Sequence, residues 1–351
     1  MINPGPYLRS HQPKIYFFLT DLLKELRKLI SPYSIYITDS LGGSFKTYLS
    51  EPQNDNRIAL LKSNLDMESV SVIDVILKRI ASYPDESSKR KISKHAPVAG
   101  GLLAVETRES KKEIAKKLRS IRRKYGSLSV NIEESVFYYH HGLSLLPGSV
   151  VKYLNGKDFI DLGAYAGDSA VALSELNYRK IWSVEMSLKS IAGYKENMLR
   201  CGIGTGKFEI INACISSGRD HTFLEIPDTG SAGISPLRIK GKYDRIRVEK
   251  KSVDQLVEEY GISPAFIKAD LEGNSLEMVK GAENTLRKFR PVLSIAVYHN
   301  PHEFFEIKPY LEGFLDNYIF MLRKLTSGIK DNLCHSEIIL IGYPAEISDK
   351  C

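Results

Sequence analysis

Cysteine is scarce in this sequence. Its 351 residues include four, Cys201, Cys214, Cys334 and Cys351, and no two stand at CxxC spacing. That excludes a disulfide scaffold and the zinc finger and ribbon patterns, and free thiols in a reducing, cytoplasmic setting are expected. Long apolar runs are missing as well. No stretch approaches the roughly 18–20 apolar residues that cross a bilayer, so no membrane span is expected. The first residues, MINPGPYLRSHQPK, are broken by Pro4, Pro6 and Pro13, and no signal peptide is read there. Internal repeats and low-complexity tracts are absent. So are the dinucleotide fingerprint GxGxxG, the P-loop, and the DPPY-type loop that holds a flipped base.

What is present is an ordinary folded-chain composition, 43% hydrophobic and 26% charged, with enough apolar surface to offset chain entropy. The length suggests about two domains. Charge is uneven. Residues 1–150 carry 23 Lys and Arg against 15 Asp and Glu, and residues 151–351 carry 26 against 27. Within the front half, residues 89–124 hold 13 basic and 3 acidic side chains. Such a run is either a solvated helix face or a surface for an anionic partner.

Apolar periodicity places helices over residues 15–30 and 70–81, and over KKEIAKKLRSIRRKY (111–125), where Ile114, Leu118, Ile121 and Tyr125 form one stripe under a basic outer face. Residues 33–49 read as two short strands joined around Gly42-Gly43, and residues 84–98 as a polar, mobile connection. From about residue 157 short β-type runs alternate with helical ones. The runs are FIDL (159–162), IWSVE (181–185), FEIIN (208–212), FIKAD (266–270) and VLSIAVY (292–298). Asp168–Leu176, Leu188–Cys201, Val253–Tyr260 and Ser275–Phe289 are the intervening helices. This alternation predicts a parallel sheet with helices on both faces, closed by an antiparallel pair, YIFML (318–322) and EIILIGY (337–343).

The segment richest in chemistry is KDFIDLGAYAGDSA (157–170). A strand ends in Asp161-Leu162 and is followed by Gly163 and, four residues later, Gly167. Ligands of open α/β sheets sit beyond the carboxyl ends of the strands, and a glycine there lets backbone approach them. The D-x-G-x-x-x-G spacing suits a nucleoside sulfonium better than a phosphate. Glu185 ends the next strand, where a carboxylate can accept from both ribose hydroxyls. Two further strands run out into Asp270, Leu271, Glu272, Gly273 and into Tyr298, His299, Asn300, and both ends should face the same cleft.

The succession DLGAYAGDS, SVE and SVDQLVEEYGISPAFIKADLEGNSLEMVKGAENTLRKFRPVLSIAVYH resembles the FkbM-type methyltransferases, over roughly residues 135–343 and most closely over 252–299. The resemblance implies a Rossmann-like, seven-stranded class I methyltransferase sheet in residues 131–351, with residues 1–130 a mostly helical accessory region. It implies S-adenosyl-L-methionine as cofactor and a hydroxyl of a sugar, glycan or secondary metabolite as acceptor. By position, Asp161, Gly163, Ala164, Tyr165, Gly167 and Asp168 would form the methionine-side loop. Glu185 would hold the ribose, and Asn212 and Ala213 would lie near the adenine. Asp270 would sit beside the sulfonium. Ala269 and Asn274 depart from the pattern, and residues 217–251 are a variable stretch expected to shape the acceptor pocket.

Methyl transfer to oxygen is an in-line displacement, and a hydroxyl needs help in losing its proton. His299 is the first candidate for that base, with Asp270 and Glu272 as rivals. The same side chains could hold a divalent ion, although nothing in the spacing requires a metal. A second reading is a non-catalytic binding or assembly protein that presents the basic helix 111–125 to RNA or anionic lipid. A nucleic-acid acceptor is disfavoured.

Overall fold

The computed structural model describes residues 34–37, 42–82, 90–93, 99–126, 128–218, 222–228, 230, 245–328 and 336–348. The helix expected over 15–30 lies outside them. Ser34–Ile37 (β1) pairs antiparallel with Arg90–Ser93 (β2), so the stretch expected as a mobile connection contains a paired strand. The expected second strand near residue 45 is instead a helix, Gly42–Leu49 (α1). Phe45 and Tyr48, three apart, sit on one helical face, Phe45 edge-on against Phe304 and Tyr48 stacked on Phe305, which a strand would not allow. Asn54–Lys62 (α2) and Met67–Ser82 (α3) follow. Arg108–Tyr125 (α4) starts at a Thr107 cap and buries Ile114, Leu118 and Tyr125, as the stripe predicts.

Gly148–Leu154 (α5) leads into Asp158–Leu162 (β3), every residue of which is buried. Asp168–Leu173 (α6), Lys180–Glu185 (β4), Leu188–Arg200 (α7) and Phe208–Asn212 (β5) complete the first half of the sheet. Cys214–Ile215 (β6), Phe223–Pro227 (β7) and Arg245–Lys251 (β8) form a small separate sheet within the variable stretch. Val253–Tyr260 (α8) and Pro264–Ala269 (β9) come next. The helix expected over 275–289 is broken into Ser275–Lys280 (α9) and Glu283–Phe289 (α10). The break falls at Gly281, where a Cβ would stand 2.4 Å from the Ser216 carbonyl. Val292–Ala296 (β10), Pro301–Glu312 (α11), Tyr318–Lys324 (β11) and Ile338–Pro344 (β12) finish the chain.

The main sheet has seven strands in the order β11-β12-β10-β9-β3-β4-β5. The five strands β10 to β5 run parallel, and β12 lies antiparallel between β10 and β11. Strands covered on both faces need apolar residues in both phases of the period, which FIDL and FIKA supply. Ile160, Leu162 and Ile267 face one core, shared with α8, α11 and the front helices. Phe159, Phe266 and Ile341 face the other, shared with α4, α6 and α7. The front helices therefore share a core with the sheet. No described helix is long and apolar enough to cross a membrane.

Candidate active site

The carboxyl ends of β3, β4, β9 and β10 open into one cavity of about 900 Å³, within the range usual for small-molecule sites. Gly163 and Gly167 both lie in the left-handed region, at φ +77° and +84°. A Cβ on Gly163 would stand 2.0 Å from the Asp270 carbonyl oxygen. Two strand ends meet there, with room for backbone alone. Tyr165 between them is also left-handed, at φ +44°.

Glu185 closes β4 and is 9% exposed. Its Oε2 accepts the Tyr165 N–H at 2.9 Å and its Oε1 the Ser187 N–H at 2.8 Å. Burial pushes this carboxyl above its ordinary range, against the pull of those backbone donors. The Met186 backbone adds a third donor, which leaves part of the carboxylate's acceptor capacity free. Asp168 also lines the cavity, and burial pushes its carboxyl up to about 6. Ala213 is in the lining, whereas Asn212 is exposed and spends its amide on the Glu185 and Met186 carbonyls, at 3.0 and 2.9 Å. Asp161 and Ala164 are fully buried behind the lining and do not reach the cavity.

On the far side three candidates converge. His299 is 6% exposed, and its Nε2 lies 3.4 Å from Asp270 Oδ1 and 3.5 Å from Glu272 Oε2. Its Nδ1 faces Glu303 Oε2 at 3.7 Å. Burial alone would lower its pKa, but Glu303, Asp270 and Glu272 outweigh that and raise it to about 9. The cap of α11 is Asn300, whose side chain accepts the Glu303 N–H at 2.9 Å, so His299 is not consumed by capping. Glu272 turns back toward His299 through its own left-handed φ of +52° and that of Gly273, +105°.

Tyr298, expected at this cleft, lines it together with Glu337 and Lys268, which were not read from the sequence. Tyr298 donates to Glu337 at 3.2 Å, and burial raises the Glu337 carboxyl, with Asp270 adding to it. His141 is buried against Ser169, Nε2 to Oγ 2.9 Å, and burial holds its pKa well below the usual imidazole range. In the sequence the segment Phe137–His141 reads first as aromatic packing, with His140 and His141 at the cofactor's entrance as the alternative; His141 does line the cavity. Lys268 had a signal: a lysine inside an otherwise apolar strand needs a partner.

A seven-stranded sheet of this order, with an acid and a glycine loop at successive strand ends, is the class I methyltransferase fold. Residues 161–325 match the family model described as the methyltransferase FkbM domain. The matched segment, a little under half of the chain, resembles an FkbM-type methyltransferase domain, a family that uses S-adenosylmethionine as cofactor. Among solved structures, an FkbM methyltransferase from Methylobacillus flagellatus aligns at 17% identity over 86% of this chain, with a TM-score of 0.53. This chain covers 61% of that protein's length. An rRNA methylase from Streptococcus thermophilus aligns at 12% identity over 61% of this chain and 98% of its own, TM-score 0.37. A Streptococcus mutans protein, described as a methyltransferase in complex with SAH, aligns at 14% identity over 61% of this chain and 99% of its own, TM-score 0.36. No curated protein matches the chain.

Proposed function

We propose that this protein transfers the methyl group of S-adenosylmethionine to a hydroxyl of a sugar, glycan or secondary metabolite. The observation that carries the reading is convergence: the Gly163 loop, Glu185 and the Asp270–Glu272–His299 cluster border one cavity. The residues fit an adenosyl ligand. Gly163 leaves a cradle that a Cβ would fill, and Glu185 lines the cavity with acceptor capacity left for the ribose. Bound there, the cofactor supplies the electrophilic methyl. The chain supplies orientation and proton removal. A hydroxyl oxygen lined up at the cluster loses its proton to His299, and Asp270 and Glu272 stabilise the imidazolium that results.

Calorimetry with S-adenosylmethionine is the direct test. Wild type binds, and Glu185→Ala weakens binding by roughly 10- to 100-fold, the loss expected for charge-assisted hydrogen bonds to two hydroxyls. No binding by wild type removes the enzyme reading and leaves the scaffold reading, in which the basic face of α4 would be the working surface. Equal binding by Glu185→Ala removes the ribose assignment.

His299→Ala separates chemistry from binding. It should retain cofactor affinity and slow transfer by about 10²- to 10⁴-fold. The base must be neutral to act, so the wild-type rate should rise with pH toward a limb near the raised pKa of about 9. That rise should vanish in the variant, and a variant with an unchanged profile would remove the histidine from the mechanism.

One observation favours a second reading of the same cluster. Ligand atoms of Asp270, Glu272 and His299 all lie within 4.8 Å of one another, a spacing that can hold a divalent cation. In that case the ion, and not the imidazole, lowers the acceptor's pKa. Chelation distinguishes the two: full activity in excess EDTA rejects the metal, and activity lost and regained with magnesium or manganese establishes it.

A further inference from the structure

Lys268 stands where a charge is out of place. Its strand β9 is buried from end to end, and Lys268 itself is 3% exposed. Beside it in the parallel register of β3 stands Asp161, 0% exposed, with Oδ1 3.0 Å from the ammonium. Burial alone would lower the lysine's pKa, but the Asp161 and Asp270 carboxylates outweigh it and keep the amine charged.

Neutralising Asp161 would require only that contact. The ammonium makes two more, donating to the Gly163 carbonyl at 2.9 Å and the Leu162 carbonyl at 3.4 Å. The ammonium thus holds two carbonyls by hydrogen bonds and Asp161 as an ion pair, all at one strand end. From the opposite side the N–H groups of Gly163 and Ala164 both reach the Val184 carbonyl, at 3.0 and 3.1 Å. The turn at Gly163 is therefore clamped between β9 and β4. The strand that holds it from the β9 side is the one that ends in Asp270.

We infer that Lys268 is a positioning residue for the cofactor: it fixes the Gly163 carbonyl, and with it the 163–167 loop, against the strand that delivers Asp270. This rests on the adenosyl ligand occupying the cavity proposed above. It assigns Lys268 no contact with that ligand, although the residue lines the cavity: its role is to hold the loop.

The test needs two variants of the full chain. Lys268→Met leaves Asp161 buried and unpaired, and loses stability for that reason alone. The double variant Asp161→Asn/Lys268→Met removes both charges and should regain much of the melting temperature. Its affinity for S-adenosylmethionine should stay roughly 10- to 100-fold below wild type, because the Gly163 carbonyl is still unheld. S-adenosylhomocysteine, which lacks the sulfonium charge, should lose a similar factor. A double variant that binds both ligands like wild type overturns the inference, as does a loss confined to the charged ligand, which would make Lys268 a source of field only. Failure of wild type to bind either ligand would instead overturn the underlying cofactor reading.

Discussion

Gly163→Val abolishes binding of S-adenosylmethionine and lowers stability by several kcal/mol. The first Cβ would already stand 2.0 Å from the Asp270 carbonyl oxygen and 3.1 Å from its carbon. These are backbone atoms, so no rotamer change relieves the contact. Nor can Asp270 retreat freely, because its own N–H is bonded to the Leu162 carbonyl at 3.0 Å. A β-branched residue at φ +77° costs about 1–3 kcal/mol in backbone strain. Overpacking adds about 1–3 kcal/mol. The loop must move to accommodate both, and it moves into the space proposed for the ligand. Gly202→Ala is the control. Gly202 has φ +72° but nothing within 4 Å of the added Cβ. It should lose about 1 kcal/mol to strain alone and bind the cofactor normally. Calorimetry and thermal denaturation of the two variants decide the matter. A Gly163→Val protein that binds like wild type would refute the close-approach argument.

The same pair of strand ends explains what could be read from the sequence and what could not. Parallel strands buried on both faces appear as short apolar runs, and each of the five was found within a few residues. Their carboxyl ends are where a ligand must sit, so Gly163, Glu185, Asp270 and His299 followed from topology. Asp161 lies behind the cavity lining. It sits in the phase of β3 that faces inward, and a strand residue one place from the end belongs to the core and not to the rim. Asn212 lies outside the cavity lining, and its amide braces the turn after Glu185. The matched charges of Asp161 and Lys268 were visible as single letters in FIDL and FIKAD. Only the register of β3 on β9 makes them neighbours, and register is not contained in either run. Gly42-Gly43 was read as a hairpin turn because local glycine signals favour one. The packing of Phe45 and Tyr48 on α11, more than 250 residues away in sequence, overrides that signal.

Arg79→Met unfolds the protein more readily than any surface change, and it does so through the sheet. Arg79 lies on α3 and is 1% exposed. Its guanidinium grips both oxygens of Glu106, at 2.7 and 2.6 Å, and also donates to the Gly101 carbonyl at 2.7 Å. Glu106 is itself 1% exposed and lies 3.5 Å from Lys324, on edge strand β11. Leu322 on that strand donates its N–H to Ser69 of α3 at 2.9 Å. A bidentate buried pair thus ties α3 to the loop before α4 and, through Lys324, to the sheet. Removing one partner strands a carboxylate in the core, which costs about 3–5 kcal/mol. Replacing both, as Arg79→Met/Glu106→Leu, should recover part of that loss, since no carboxylate is then stranded, but only part, because buried Lys324 loses its Glu106 partner. We further expect one cooperative denaturant transition in wild type and variants, because the front helices and strand β11 share one core. Intrinsic fluorescence and circular dichroism followed together will show it. Two separated transitions, with the helical signal lost first, would mean that residues 42–82 stand apart from the sheet and that the Arg79 pair does not couple them.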